Sequence, residues 1–403
     1  MKNDYDLVII GAGMIGSALA ALLNAATEFK VCLVDATTTY EAEPELGFDP
    51  RVVALSEHAR ALLTGAGAWA SVAASRVCPY TRMRVWDADG TGRISFEAAE
   101  FGLAQLGHIC ENSVLMAALA QACDELGVEQ CRGVRVERWQ YDENQGRSTL
   151  TLSDGRRLSA ELTVAADGQH SAIAAMAGIS VHESPYEQRA VVTTIECEHP
   201  HEFCALQRFA PAGPLAYLPL GQDGVEGRHV SIVWSLDERH AQSVMALDDT
   251  QFCRAVGEAM EWRLGRVLRT GKRRAFVLTQ RSARSYYAPG VVLVGDAAHS
   301  IHPLAGQGAN LGFQDVAALV AELKRAQRRS VPLRDISILR RYQAQRRAHN
   351  TVVAGLMAVF KRSFGSDDVR VRTLRNWALS FADHQPVIKE HFIKAASGVF
   401  VHD

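Results

Sequence analysis

Apolar positions along the chain follow two rhythms, and their alternation maps the elements. LVII, residues 7–10, is the unbroken apolar run of a buried strand. SALAALLNAA, residues 17–26, carries small and apolar residues at helical spacing. Three glycines separate the two, so the pattern predicts strand, tight turn and helix. KVCLVDA, residues 30–36, predicts a second buried strand that ends on Asp35. RVVALSEHARALLTGAGAW, residues 51–69, predicts a helix with Ser56 at its N-cap. MRVWDADGTGRISF, residues 83–96, alternates around Asp89-Gly90 and predicts a hairpin. NSVLMAALAQACDELG, residues 112–127, returns to helical spacing and stops on glycine. Residues 147–164 alternate around Asp154-Gly155, a second hairpin that leads into AADGQHS.

From residue 186 to about 274 the texture changes. VVTTIEC, LAYLPL and HVSIVWSL are β-rich runs, with one helical stretch between residues 249 and 268. RRAFVLTQR and GVVLVGDAAH read as strands again, and GANLGFQDVAALVAELKRA as a helix. Beyond residue 331 the pattern is mainly helical. The chain is therefore α/β, with an inserted, mostly antiparallel sheet.

Composition adds limits. A chain of 403 residues, 48% hydrophobic and 22% charged, is globular and long enough for two to three domains. A net charge of −2 gives no overall pull toward nucleic acid. Charge is uneven, because residues 322–375 hold 14 Lys and Arg against 4 Asp and Glu. The eight cysteines form no CxxC pair and no zinc spacing, so no metal site is expected and a reducing, cytoplasmic setting is. Residues 7–27 are uncharged and long enough to suggest a membrane span. Their clustered glycines and the preceding Asp4 and Asp6 argue against a span and against a signal peptide.

Gly11-Ala12-Gly13-Met14-Ile15-Gly16 is a GxGxxG turn between strand and helix. Its glycines permit close approach of a pyrophosphate to a helix N-terminus. Asp35 lies 19 residues after Gly16, near the spacing at which an acid accepts from ribose hydroxyls. Two further strands run into Asp167-Gly168 and into Gly295-Asp296. Either alone reads as an Asp-capped turn; the three together form a dinucleotide-binding constellation.

The stretches IIGAGMIGSALA, FDPRVVALS, GHICENSVL, AADGQHS, GPLAYLPL with SIVWS, and GDAAHSIHPLAGQGANLGFQDVAAL resemble a known family. The chain is similar to class A flavoprotein monooxygenases of the para-hydroxybenzoate hydroxylase fold, and among them to the ubiquinone-biosynthesis aromatic hydroxylases. That resemblance implies a Rossmann-like FAD-binding domain of the glutathione-reductase type. This domain would comprise residues 1–75, 105–182 and 275–340, with a substrate domain at 76–104 and 183–274 and a helical C-terminal region at 341–403. It implies FAD as cofactor, held by Gly11, Ala12, Gly13, Gly16, Asp35, Arg51, Asp167, Gly168, Gly295, Asp296, Gly306, Gly308, Ala309 and Asn310. Pro303, His299 and Tyr217 are expected near the reaction, Tyr217 together with Leu218 and Pro219 facing the pocket, and packing and hydrogen bonding are the plainer role for His299 and His302. The family motif DGxxSxxR would put arginine at position 174, where this chain has Ala174, and relatives often carry arginine where Ser113 stands.

The implied activity is hydroxylation of a polyprenylphenol ring with O2 through a C4a-hydroperoxyflavin, NAD(P)H serving as a transient co-substrate. A second GxGxxG after a strand is absent, as transient docking of the nicotinamide cofactor would have it. TVVAGLMAVFKRSFG, residues 351–365, is apolar and then basic. It reads first as a helix packed on the FAD domain with a solvated basic end. The alternative is peripheral contact with the inner face of a membrane, or assembly with other ubiquinone-biosynthesis proteins. Oligomeric state stays open. So do two other readings: a different FAD monooxygenase or reductase of the same fold, and a non-catalytic subunit that keeps the fold.

Overall fold

The computed structural model describes residues 3–38, 46–88, 90, 92–221, 227–300 and 307–364, with residues 376 and 389. Asn3–Ile10 is the central strand of a sheet whose core is parallel. Val31–Asp35 and then Glu129–Arg132 lie on one side of it. Arg157–Ala165 and then Val291–Leu293 lie on the other. The chain thus fills one side first and returns to the opposite side. The crevice at the carboxyl end of Asn3–Ile10 is where such sheets take ligands. Leu7, Val8 and Ile9 have no exposed surface, as a parallel strand covered on both faces requires. The uncharged N-terminal stretch is this strand plus the helix Met14–Ala26. Among the described residues no helix is long and apolar enough to cross a membrane.

A second sheet has nine strands. Its longest member, Val181–Cys197, pairs antiparallel with His229–Asp237 on one edge and with Arg274–Ala283 on the other. Gly213–Pro219 and Cys204–Ala210 continue it, and the hairpin of Arg82–Asp87 with Arg93–Glu97 closes it. Arg274–Ala283, grouped by sequence with the dinucleotide unit from residue 275 on, belongs to this inserted sheet by its hydrogen bonds. His229–Asp237 reaches Val181–Cys197 only from Gln188 onward, so Arg274–Ala283 supplies the partner for its first residues, Val181 to Pro185.

A third, antiparallel sheet joins Val52–Leu55, Gly107–Glu111 and Val77–Tyr80. Phe48, Ala54, Cys78 and Ile109 pack there with Leu220 of the inserted region. Val52–Leu55 was not anticipated as a strand. The helix after it, Glu57–Gly65, is capped as expected, with Ser56 Oγ accepting from Ala59 N–H at 3.2 Å. The helix Glu238–Ala246 was also missed. Its apolar face is short, with Ala241 buried and Val244 and Met245 half-buried against the core of the inserted sheet, in a helix of nine residues that is otherwise mostly polar.

Gln307–Arg328 and Ile336–Phe364 are the long C-terminal helices. Ile338, Leu339 and Tyr342 of the second are buried in the core of the parallel sheet. All eight cysteines are buried and unpaired.

Candidate active site

Four loops leave the parallel strands at the same end, and hydrogen bonds knit them together. Gly11 N–H donates to Val34 O at 2.8 Å, Ala166 N–H to Ile10 O at 2.8 Å, and Val294 N–H to Ala165 O at 3.0 Å. Gly11 has φ +103°, and a Cβ on it would lie 2.3 Å from Ala166 O. A Cβ on Gly16 would lie 1.8 Å from Gly11 O. Gly13 differs, since a Cβ there would meet nothing within 4 Å. Two glycines of the turn therefore serve packing, and the third faces open space.

Asp35 accepts from Ala12 N–H, and also from the N–H and hydroxyl of Thr37 at 2.6 and 2.5 Å. The acid that spacing singled out is thus hooked onto the glycine turn itself. Asp167 Oδ2 accepts from Ile173 N–H at 3.3 Å. Its Oδ1 is buried without a hydrogen-bond partner among the described residues. Burial pushes the Asp167 carboxyl up, against the hydrogen bond from Ile173 N–H. Gly168 follows at φ +81°. Ala174, the departure from the family motif, is buried in the short helix Ala172–Met176.

The stretch from Val291 to His299 is buried except for Asp296. Asp296 is exposed, while crowding by the neighbouring loops strips water from its carboxyl. Those surroundings push its carboxyl up, with His299 opposing and Asp315 adding to the rise. Gly295 has φ +59°, and Ile15 of the glycine turn packs against it. A Cβ on Gly312 would lie 2.7 Å from Ile15 Cδ1. The first and last motifs of the chain thus meet at Ile15.

His299 is buried, and its Nε2 lies 2.6 Å from Asp315 Oδ2. Asp315 and its partner Arg346 were missed in the sequence, because a lone acid and a lone arginine on helices carry no motif. Asn310 is a strut: its Oδ1 accepts from Ser56 N–H at 2.9 Å and its Nδ2 donates to Ala54 O at 2.8 Å. Ala309 packs beside Phe313 and Leu55. A Cβ on Gly308 would meet nothing within 4 Å among the described residues. Arg51 exposes its side chain, while its backbone N–H donates to Asp49 Oδ1 at 2.9 Å. Pro303, Gly306 and His302 lie outside the described residues.

Tyr217, expected to face the pocket, is turned the other way. Successive residues of a strand point to opposite faces. Tyr217 therefore enters the core of the inserted region, where its hydroxyl donates to Val256 O at 3.3 Å. Leu218 is on the opposite face, packed against the cluster of Phe48 and Ile109. Two adjoining surface cavities of about 510 Å³ each run beside the helix Asp249–Ala259 and hold none of the motif residues.

Among the described residues, the open space over Gly13 and Gly308, the unpartnered Asp167 oxygen and the exposed Asp296 at its strand end fit a dinucleotide that carries both phosphate and hydroxyl groups. The comparisons agree. Residues 4–355 match the FAD-binding-domain family, and the chain belongs to it. It is an FAD-dependent monooxygenase by class. It is 35% identical over 398 residues, 98% of each chain, to the 3-demethoxyubiquinol 3-hydroxylase of Escherichia coli. It is 30% identical over 440 residues to the ubiquinone biosynthesis monooxygenase COQ6 of Xenopus tropicalis, covering 98% of this chain and 93% of that one. The crystal structure of PqsL from P. aeruginosa in complex with 2-aminobenzoylacetate shares the fold, with TM-score 0.78 at 23% identity over 94% of this chain and 100% of that one.

Proposed function

We propose that this protein hydroxylates the aromatic ring of a prenylated phenol on the route to ubiquinone, using FAD, NAD(P)H and O2. The observation that carries the reading is the end-to-end match to an enzyme named for hydroxylating 3-demethoxyubiquinol. When bound, FAD supplies hydride acceptance from NAD(P)H and activation of O2 for transfer of one oxygen atom to an electron-rich ring.

The chain's own residues bind and orient. In this reading the free amides at the start of the helix Met14–Ala26, with its positive dipole end, hold the pyrophosphate. Asp35 accepts from the adenosine ribose and Asp296 from the ribityl chain. Amides at the start of Gln307–Arg328 favour negative charge at the flavin edge. Arg51 and Pro303 are assigned to the flavin's surroundings, and Leu218 rather than Tyr217 to the face toward them. The assignment divides the chain into a flavin-holding unit and an inserted sheet that covers the substrate.

A prenyl tail is poorly soluble in water, so the proposal includes peripheral contact with a membrane or with another enzyme of the route. Exposed Trp262 and Leu268 support the first, next to Arg266 and Arg269, which pair with Glu198 and Glu196. Flotation with anionic vesicles tests it, and protein left at the bottom of the gradient rejects it.

The main reading is tested on purified protein. Flavin absorbance, NAD(P)H oxidation stimulated by a prenylated phenol, and a product one oxygen heavier by mass spectrometry are expected. A colourless protein that takes up no added FAD overturns it. So does a flavinated protein that leaves the ring unoxidised.

A further inference from the structure

The segment that presents Asp296 is pinned on both sides of that residue, always from behind. Tyr342 Oη donates to Leu293 O at 2.9 Å. Gly295 N–H donates to Asp315 Oδ2 at 2.9 Å, and His299 Nε2 lies 2.6 Å from the same oxygen. The other oxygen, Asp315 Oδ1, accepts from Arg346 Nε at 2.7 Å. Three further Arg346 N–H bonds go to Gln314 Oε1 at 3.1 Å, Asn350 Oδ1 at 2.9 Å and Leu311 O at 3.4 Å. Tyr342, Arg346 and Asn350 recur every four residues on Ile336–Phe364 and so form one stripe of that helix. Every member of the set is buried.

Stability alone is a poor reason for this arrangement. A well-packed apolar pair would join the two helices as well as a buried ion pair, without its desolvation cost. What an apolar pair lacks is an acceptor for the Gly295 amide. That amide belongs to a left-handed residue, one peptide before Asp296, and the carboxylate of Asp315 decides where it points.

We propose that Asp315 and Arg346 are positioning residues for the cofactor. Arg346 orients the Asp315 carboxylate, Asp315 fixes the Gly295 peptide and His299, and the turn so fixed aims Asp296 into the cleft. The proposal rests on the FAD reading above, and it gives the C-terminal helix a part in flavin binding.

The test is a double-mutant cycle read by FAD titration of the apo-protein, with the melting temperature of the apo-protein measured alongside. Asp315→Asn must turn an amide N–H toward Gly295 and His299 or toward Arg346, setting donor against donor. Asp296→Asn and Asp315→Asn are each expected to weaken FAD about tenfold. The double variant should be no more than about threefold worse than the weaker single one, because both changes disable one contact. Losses that multiply overturn the proposal, as does wild-type FAD affinity in Asp315→Asn. Should Asp315→Asn fail to fold, Arg346→Lys and Arg346→Met replace it. The lysine variant should keep more FAD affinity than the methionine variant, and equal affinities overturn the proposal. Wild-type protein that binds no FAD would instead sink the flavin reading itself.

Discussion

Gly16 and Gly11 touch across the first turn of the chain. A methyl group on Gly16 would sit 1.8 Å from the carbonyl oxygen of Gly11, while one on Gly13, between them, would meet nothing within 4 Å. The two positions should therefore part company. Gly16→Ala must push the helix Met14–Ala26 off its strand and is expected to cost the apo-protein about 1–3 kcal/mol, with FAD binding lost as well. Gly13 already has φ −68° and ψ 179°, which alanine adopts freely. Gly13→Ala should leave apo-protein stability within about 0.5 kcal/mol of wild type. Its FAD affinity should nevertheless fall at least about tenfold, because the methyl occupies space reserved for a phosphate. Urea unfolding and flavin titration read the two effects separately. Equal FAD affinity in Gly13→Ala would mean that the space over Gly13 is not the ligand's.

Asp167 makes the opposite trade. Its buried, unpartnered Oδ1 is a cost to the apo-protein that a ligand can relieve. Burial raises its carboxyl, so the folded protein resists ionising it. A raised folded value means stability is lost as pH rises from the ordinary carboxylate range through that folded value. Asp167→Asn should thus be more stable than wild type at pH 7, by about 1 kcal/mol. The advantage should vanish below about pH 4, where both states of the wild type are protonated. FAD affinity or the KM for NAD(P)H should worsen several-fold. Apo-protein melting from pH 4 to pH 8 checks the first statement, and a difference independent of pH would contradict it.

For Asp315 the sign reverses. Burial pushes this carboxyl up, but His299 and Arg346 outweigh burial and hold it below the usual range. A depressed folded value gives stability that is present above the unfolded value and lost as pH falls through the folded one. The wild type should therefore lose stability steeply on acidification below about pH 4, and Asp315→Asn should lack that limb. Unfolding free energies at several pH values between 7 and 3 would show it. Parallel curves for the two proteins would contradict it.

How much of this was legible in the chain depended on whether a feature was local. The strand, turn and helix around Gly11 to Gly16 could be read because apolar run, glycines and helical spacing are neighbours. Asp35 could be singled out by spacing, yet its bond to Ala12 N–H could not, since that needs two strand ends brought side by side. Asp315 and Arg346 lie 31 residues apart on separate helices, and their pairing appears only once those helices cross behind Gly295. Glu238–Ala246 hid for a different reason, since its apolar face of Ala241, Val244 and Met245 spans barely one turn and follows directly on the strand His229–Asp237. Tyr217 reads as facing the pocket together with Leu218 and Pro219, because nothing in LAYLPL says which face of the strand is inward.

Tyr217 supplies the last test. Its ring lies in the core of the inserted region and its hydroxyl donates to Val256 O, within the helix Asp249–Ala259. Tyr217→Phe keeps the packing and removes one buried hydrogen bond. The expected cost is about 0.5–1.5 kcal/mol of stability, with kcat and the substrate KM within about twofold of wild type. Leu218→Ala acts on the opposite face, beside Phe48 and Ile109 where the inserted region meets the loop that carries Arg51. Because Leu218 is half-buried, the change should cost about 1–2 kcal/mol in packing, and it should raise the substrate KM as well. Steady-state kinetics with a prenylated phenol, together with urea unfolding, separate the two residues. A kcat that collapses in Tyr217→Phe while stability stays unchanged would return Tyr217 to the site and reverse the orientation argued for this strand.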